Sequence, residues 1–317
     1  MAHAVVTGGS GFLGSHLVDT LLDDKYRVTV LDNHGSGRPA NLAHIEPSRL
    51  NVRKHDVREP FPEFDDVDVV YHMASRASPD DFDSHAVEIA LTNSEGTKNA
   101  LECAREHDAR TVIASTSEVY GNPEAHPQTE EYNGNVNIRG PRAPYDESKR
   151  FAEALAVAYR QRYGMDIRTV RIFNTYGPRM RPDDGRVVPN FLSQAISGDD
   201  LTVYGDGSQT RSFCFVSDLI EGIRRFADAP AEDAAGEVVN IGNTHEITIR
   251  ELADIVLEVV DTDSEVVQKP LPQDDPELRC PDISKAREML DWEPEISISD
   301  GLERTIPYFE KQLSLSA

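Results

Sequence analysis

Tyr145 and Lys149 stand four residues apart, directly after Pro144, where a helical pattern starts. That spacing puts both side chains on one helix face. A neighbouring ammonium favours the phenolate and would bring the tyrosine pKa down toward the working range. Such a phenol can take a proton from a hydroxyl while hydride leaves the adjoining carbon. Chance pairs of this kind are common on solvated helix faces, so the pair draws its weight from its place in the chain. It follows a strand candidate that closes on Ser115-Thr116-Ser117-Glu118. Thr116 can hydrogen-bond the same hydroxyl as Tyr145. The plainer reading of that tetrapeptide is a strand-end turn with a helix cap.

Hydride needs an acceptor, and the N-terminus offers a place for one. The apolar run Ala4-Val5-Val6 reads as a strand, Gly8, Gly11 and Gly14 follow, and Phe12, Leu13, Leu17, Val18, Leu21 and Leu22 set a helical period. Strand, glycine turn and helix in that order are the context of a dinucleotide-binding loop. Glycine permits positive φ and lets backbone N–H groups approach a pyrophosphate at the helix N-terminus. The spacing Gly-x-x-Gly-x-x-Gly differs from the commoner Gly-x-Gly-x-x-Gly, and a glycine run alone is often a plain turn. A second strand, Arg27 to Leu31, runs into Asp32, 18 residues past Gly14, where an acid meets adenosine ribose hydroxyls. A carboxylate there suits NAD and repels the 2′-phosphate of NADP; Arg38 stands close enough to bear on that choice.

The elements that must position these groups alternate. Strand candidates continue at Leu50 to His55, Val67 to His72, Arg110 to Ser115 and Ile167 to Phe173, with helical stretches at Ala86 to Glu106 and Ser148 to Tyr163. Alternation predicts an α/β fold with a Rossmann-type, doubly wound parallel sheet whose ligands lie beyond the C-terminal strand ends. Polar residues follow the strands at Asp32, Asp56, Ala74-Ser75, Thr116 to Glu118 and Asn174. Past Asn174 the pattern loosens. Strands are expected at Leu201 to Tyr204 and Val238 to Ile241, the latter returning to the sheet, with a helix at Ile249 to Val260. The division expected is 1–174 for the dinucleotide half and 175–317 for a smaller, interleaved substrate lobe.

The 317 residues suffice for one large unit plus a smaller lobe. A formal charge of −24 repels nucleic acid and anionic membrane, which excludes both as partners. Arginine far outnumbers lysine. A high-salt cytoplasm, which screens the self-repulsion, accounts for such acidity, and an ordinary acidic protein is the alternative. Three scattered cysteines, Cys103, Cys214 and Cys280, suggest a reducing compartment, with neither a disulfide framework nor a zinc site. No apolar run approaches a membrane span and no signal peptide is evident, so a cytoplasmic location is expected.

Taken together, the glycine loop, Asp32, Thr116, Tyr145 and Lys149 resemble the extended short-chain dehydrogenases that modify nucleotide sugars. Within them the chain looks closest to the UDP-glucuronate decarboxylases. The segments that carry this are Ser115-Thr-Ser-Glu-Val-Tyr-Gly121, Pro141-Arg-Ala-Pro-Tyr-Asp-Glu-Ser-Lys-Arg150 and Asn174-Thr-Tyr-Gly-Pro-Arg-Met180. They continue with Asp184-Gly-Arg-Val-Val188, Leu201-Thr-Val-Tyr-Gly-Asp-Gly-Ser-Gln-Thr-Arg211, Gln273-Asp-Asp-Pro276, Arg279-Cys-Pro-Asp-Ile283 and Asp291-Trp-Glu-Pro294. The resemblance runs over essentially the whole chain. It implies bound NAD, oxidation at C4 of the sugar with Tyr145 as base, loss of carbon dioxide from C5, and return of hydride to give UDP-xylose.

The resemblance also implies roles. Thr116 assists Tyr145, Lys149 also holds the nicotinamide ribose, and Glu118 faces the sugar near C5. Ser117 and Arg279 are candidates for handling the C5 proton; arginine is an unusual acid, so Arg279 reads first as a ligand of diphosphate or carboxylate. The cofactor would meet Gly8, Gly11, Phe12, Leu13, Gly14, Asp32, Asn33, Asp56, Val57, Ala74, Ser75 and Asn93. The substrate would meet Asn174, Arg186, Val188, Arg211 and Arg279, with Tyr204 stacked on uracil. A surface ion pair is the bland alternative for each arginine, and a core aromatic the alternative for Tyr204. A homodimer is implied. Two positions depart from the pattern: Ser148 where glycine usually precedes the lysine, and Arg76 where proline is usual in a loop near the sugar. The rivals are a 4,6-dehydratase, in which an Asp acid would occupy the place of Ser117, a 4-epimerase, and a non-catalytic NAD-binding sensor.

Overall fold

The computed structural model describes residues 1–270 and 278–315; the Gln-Asp-Asp-Pro segment at 273–276 lies outside them. The first half alternates β1 (His3–Thr7), α1 (Phe12–Asp23), β2 (Arg27–Asp32), β3 (Leu50–Lys54), β4 (Val69–His72), α2 (Ala86–Glu106), β5 (Arg110–Thr116), α3 (Ala143–Tyr163) and β6 (Ile167–Ile172). There follow β7 (Thr175–Tyr176), α4 (Val187–Ser197), β8 (Leu201–Tyr204), β9 (Thr210–Ser212), β10 (Cys214–Phe215), α5 (Val216–Asp228), α6 (Ala231–Ala234) and β11 (Val238–Ile241). The last are β12 (Glu246–Thr248), α7 (Ile249–Val260), β13 (Val266–Lys269), β14 (Leu278–Arg279), α8 (Ser284–Leu290) and α9 (Ile298–Ser314).

Seven parallel strands form one sheet in the order β11-β6-β5-β4-β1-β2-β3. The order reverses on either side of β1, so β1 and β4 flank the switch point beyond which a doubly wound sheet takes its ligand. Every residue of β1 and β4 is buried, as strands covered on both faces require. α1 packs Leu17, Val18, Leu21 and Leu22 onto the sheet. Smaller sheets, β12-β9-β14 and β13-β8, stand apart from it.

The helix carrying Tyr145 starts at Ala143, so the helical pattern after Pro144 is continuous with the amphipathic stretch from Ser148. Pro144 lies in its first turn, where a fixed φ is already helical and the missing N–H has no partner to lose. Gly164, in the left-handed conformation, ends it. Ser117–Tyr120 forms a single 3-10 turn after β5, and the Thr116 hydroxyl accepts from the Glu118 N–H at 3.2 Å. The strand-end cap is therefore real, and the same residues also line the ligand cleft.

Candidate active site

A cleft of about 660 Å³ opens beyond the C-terminal ends of β1, β2, β4, β5 and β6 and runs from the glycine loop to Tyr204. At its dinucleotide end Gly8 has φ +67°, and a Cβ there would sit 2.7 Å from Ala74 Cα. A Cβ on Gly14 would sit 2.2 Å from the Gly8 carbonyl oxygen. Both positions thus need glycine for backbone to pass backbone. No side chain caps α1 at Gly11, which leaves its first-turn N–H groups to an anion. The Asp32 carboxylate accepts from the Ser10 and His34 N–H groups at 2.9 and 2.8 Å and keeps lone pairs for a ligand.

Gly11, Phe12, Leu13, Asn33, Val57, Ala74 and Ser75 also line the cleft. Two expected cofactor contacts are not on its wall. Asp56 turns to Arg58, whose guanidinium holds the carboxyl well below the usual range, and Arg58 is the wall residue instead. Asn93 is buried between helices, where its amide donates to Ser148 Oγ at 3.0 Å. Ser148 Oγ in turn donates to the Tyr145 carbonyl at 3.0 Å. The departure from glycine at 148 therefore ties α2 to the turn that carries Tyr145. Arg76 donates to the Gly35 carbonyl at 2.8 Å and pairs with Asp81 at 3.3 Å, joining the loops after β2 and β4. Arg38 turns to Asp183 and Gln312.

At the reacting end the Tyr145 ring stacks on Phe82, centroids 5.1 Å apart, and Thr116 and Tyr145 line the same cleft. Lys149 Nζ donates to the Ala114 carbonyl at 2.7 Å and lies 6.0 Å from the Tyr145 ring centre. The predicted fall in the phenol pKa is not found. Burial pushes it up to about 12; Thr116 and Arg186 oppose this, while Glu118 and Asp146 add to it. The ammonium is itself desolvated, and burial lowers Lys149 to about 8.

Four arginines gather beside this pair. Arg279, 1% exposed, donates to the Ser117 carbonyl at 2.5 Å and to Glu118 Oε2 at 3.3 Å. Arg142 donates to the same oxygen at 2.5 Å. Burial raises the Glu118 carboxyl, but Arg279 and Arg142, with Arg211 behind them, overcome it and hold the group at about 2. Arg186 pairs with Asp184 at 2.5 Å on the cleft wall. Strand pairing explains the meeting, because Arg279 on β14 lies opposite Arg211 on β9. The surface-pair reading fails for Arg279, and the core-aromatic reading fails for Tyr204, which is 40% exposed on the wall. Asn174 and Val188 line the cleft as well. Arg142 and Phe82 were not foreseen. Only the i, i+3 spacing of Arg142 before Tyr145 signalled it.

Residues 4–242 match the NAD dependent epimerase/dehydratase family. The chain belongs to that family. Among its relatives, UDP-glucuronic acid decarboxylase 6 of Arabidopsis thaliana is 49% identical over 94% of this chain and 86% of its own length. UDP-glucuronic acid decarboxylase 1 of Danio rerio is 46% identical over 99% of this chain and 74% of its own length. Among solved members, UDP-glucuronic acid 4-epimerase from Bacillus cereus, in complex with UDP-glucuronic acid and NAD, superposes with a TM-score of 0.87 at 29% identity, covering 98% of this chain and 99% of that one. The dTDP-glucose 4,6-dehydratase DesIV from Streptomyces venezuelae, with NAD bound, does so at 0.87 and 32%, covering 99% and 98%.

NAD is the cofactor of this family, and the residues present fit it. The glycine cradle has no room for side chains, and two buried polar atoms on the cleft wall, Ser75 Oγ and Asn174 Nδ2, have no hydrogen-bond partner among the described residues. Buried donors of this sort are costly unless a ligand meets them.

Proposed function

We propose that this family member decarboxylates UDP-glucuronate to UDP-xylose. The observation that carries the reading is the arginine cluster. Arg142, Arg186, Arg211 and Arg279 stand against Glu118 and Asp184 beside the phenol, on a chain whose formal charge is −24. A cationic pocket on so acidic a protein suits a sugar carboxylate and a diphosphate. Charge-assisted hydrogen bonds from guanidinium groups suit both.

When bound, NAD supplies the two-electron acceptor and donor at the sugar carbon. The chain does the rest. Tyr145 takes the C4 hydroxyl proton, with Thr116 aligning its oxygen. Lys149 holds its charge below the ring and the nicotinamide ribose. The C4 ketone lies β to the C5 carboxylate, so the C5–carboxylate bond breaks, carbon dioxide leaves, and its electron pair enters an enolate. A proton delivered to C5 and return of the C4 hydrogen complete a redox-neutral cycle. Ser117 and Arg279 stand as candidates at C5, and Glu118 beside the leaving carboxylate. Asn174, Arg211 and Arg279 hold the diphosphate and sugar, with Arg186 and Val188 near uracil and Tyr204 stacked on it. Gly8 to Gly14, Asp32, Asn33, Val57, Ala74 and Ser75 hold the cofactor. Asp56 acts from behind Asn33, to which it is hydrogen-bonded, and Asn93 acts through Ser148.

Incubation with UDP-glucuronate and NAD, followed by mass spectrometry, is expected to yield carbon dioxide and UDP-xylose. UDP-galacturonate would make the protein a 4-epimerase, a 4-keto-6-deoxy product from a UDP- or dTDP-hexose a dehydratase, and binding without turnover a sensor.

The reading extends to setting. Residues 1–174, with the strand at 238–241, serve the cofactor, and 175–317 mainly the sugar nucleotide. The three free cysteines are buried, which suits a reducing cytoplasm, and no helix among the described residues is long and apolar enough to cross a membrane. Val87 on α2 and Phe151 and Val157 on α3 are exposed on two packed helices, a face suited to a second copy. The acidity suits high salt. The melting temperature is expected to rise as KCl goes from about 0.1 M to about 2 M, because the screening length shrinks over that range. Equal stability without salt would remove the halophilic reading.

A further inference from the structure

We propose that Arg179 is an anchor for the NAD pyrophosphate, donating from Nη1 to the anion that the N-terminus of α1 receives. Arg179 lies in the loop between β7 and α4 and has φ +70°. Left-handed backbone is uncommon for a residue other than glycine, asparagine or aspartate, and it gathers where surrounding contacts enforce it at functional sites. Here the contacts are visible. The His16 ring, through Nε2, is hydrogen-bonded to the Pro178 carbonyl at 2.9 Å, and Arg179 Nη2 donates to Asp19 Oδ2 at 2.6 Å.

Phe12, His16 and Asp19 are spaced i, i+4, i+7 and so share one face of α1. The Phe12 and His16 rings meet edge to face, 5.9 Å apart. A guanidinium held at Asp19 therefore lies along the face that leads back to the glycine loop. Arg179 lines the cleft there with Phe12, Leu13 and Met180. Its Nη1 is buried and has no hydrogen-bond partner among the described residues. An arginine that served only to cross-link α1 would not leave a buried donor unmet on a ligand wall. Burial lowers His16 to about 4, with Arg179 adding to the effect, so the imidazole is neutral at pH 7 and brings no second cation. The missing acceptor is thus anionic, and a diphosphate at the end of α1 supplies it. UDP carries the same chemistry, and the test separates the two sources.

The inference rests on NAD binding and not on which sugar is turned over, so NAD affinity of the unaltered protein is its control. Affinities for NAD, ADP-ribose and UDP are measured by titration calorimetry on protein freed of cofactor. Arg179→Gln is expected to raise Kd for NAD and ADP-ribose about 10- to 100-fold, the scale of a charge-assisted hydrogen bond, and leave UDP unchanged. Arg179→Gly relieves the backbone, so it folds at least as well, and is expected to lose the same affinity. Arg179→Lys keeps the charge but not the fork and falls between. Asp19→Asn, which weakens the pairing of Asp19 with Arg179 and with His44 but leaves Nη1 in place, is expected to stay within a few-fold of the unaltered protein. NAD affinity unchanged in the Gln and Gly variants, loss of UDP in place of NAD, or an Asp19→Asn defect as large as that of Arg179→Gln would each overturn the proposal.

Discussion

Tyr145→Phe is expected to keep NAD bound and lose about 10²- to 10⁴-fold in kcat, the range that a positioned general base supplies. The substitution removes one oxygen and leaves the ring stacked on Phe82. Cofactor content should therefore stay level while oxidation of the sugar stops. Cofactor content by absorbance and single-turnover formation of the ketone separate the two. Burial pushes the phenol up to about 12, so only its deprotonated fraction can act as base, and kcat is expected to rise with pH through the neutral range. Normal turnover in the phenylalanine variant would remove Tyr145 as base.

Glu118→Ala should reduce kcat by about 10²-fold or more, the scale of losing one preorganised electrostatic group, with a smaller effect on UDP affinity. Glu118 is the carboxylate between Arg142 and Arg279. Without it two largely buried guanidinium groups lose the carboxylate they share, which costs about 3 kcal/mol of stability and lowers the melting temperature. Stability and chemistry are told apart by Glu118→Gln, which fills the space and can still accept from the arginines. The glutamine variant should regain much of the melting temperature and little of the rate. If only UDP affinity fell in both variants, Glu118 would be a ligand and no more.

The local parts of this site were legible in the chain and the assembled parts were not. The glycine loop, Asp32 and the Thr116-to-Glu118 turn each depend on contacts within one βα unit, so residue type and spacing sufficed. The all-parallel sheet followed from alternation for the same reason. Arg142 was marked only by standing three residues before Tyr145, whereas Phe82 and Arg179 come from segments placed by contacts far away in sequence. Asp56 was expected on the wall from its place after a strand, yet Arg58 two residues on captures it. The phenol was misjudged because proximity of an ammonium was weighed without burial, and burial is the larger effect here.

The strand Val238–Ile241 pairs with Ile167–Ile172 and forms one edge of the seven-stranded sheet. The outermost rung of the sheet is thus written into the chain after α4, β8 and β9, which contribute residues to the cleft wall. A graft of one relative's sugar-recognition half onto another's cofactor half cannot be made by a single crossover without also exchanging that rung. Altered substrate choice in this scaffold is accordingly more accessible through side chains at the Arg142–Glu118–Arg279 cluster than through exchange of whole modules.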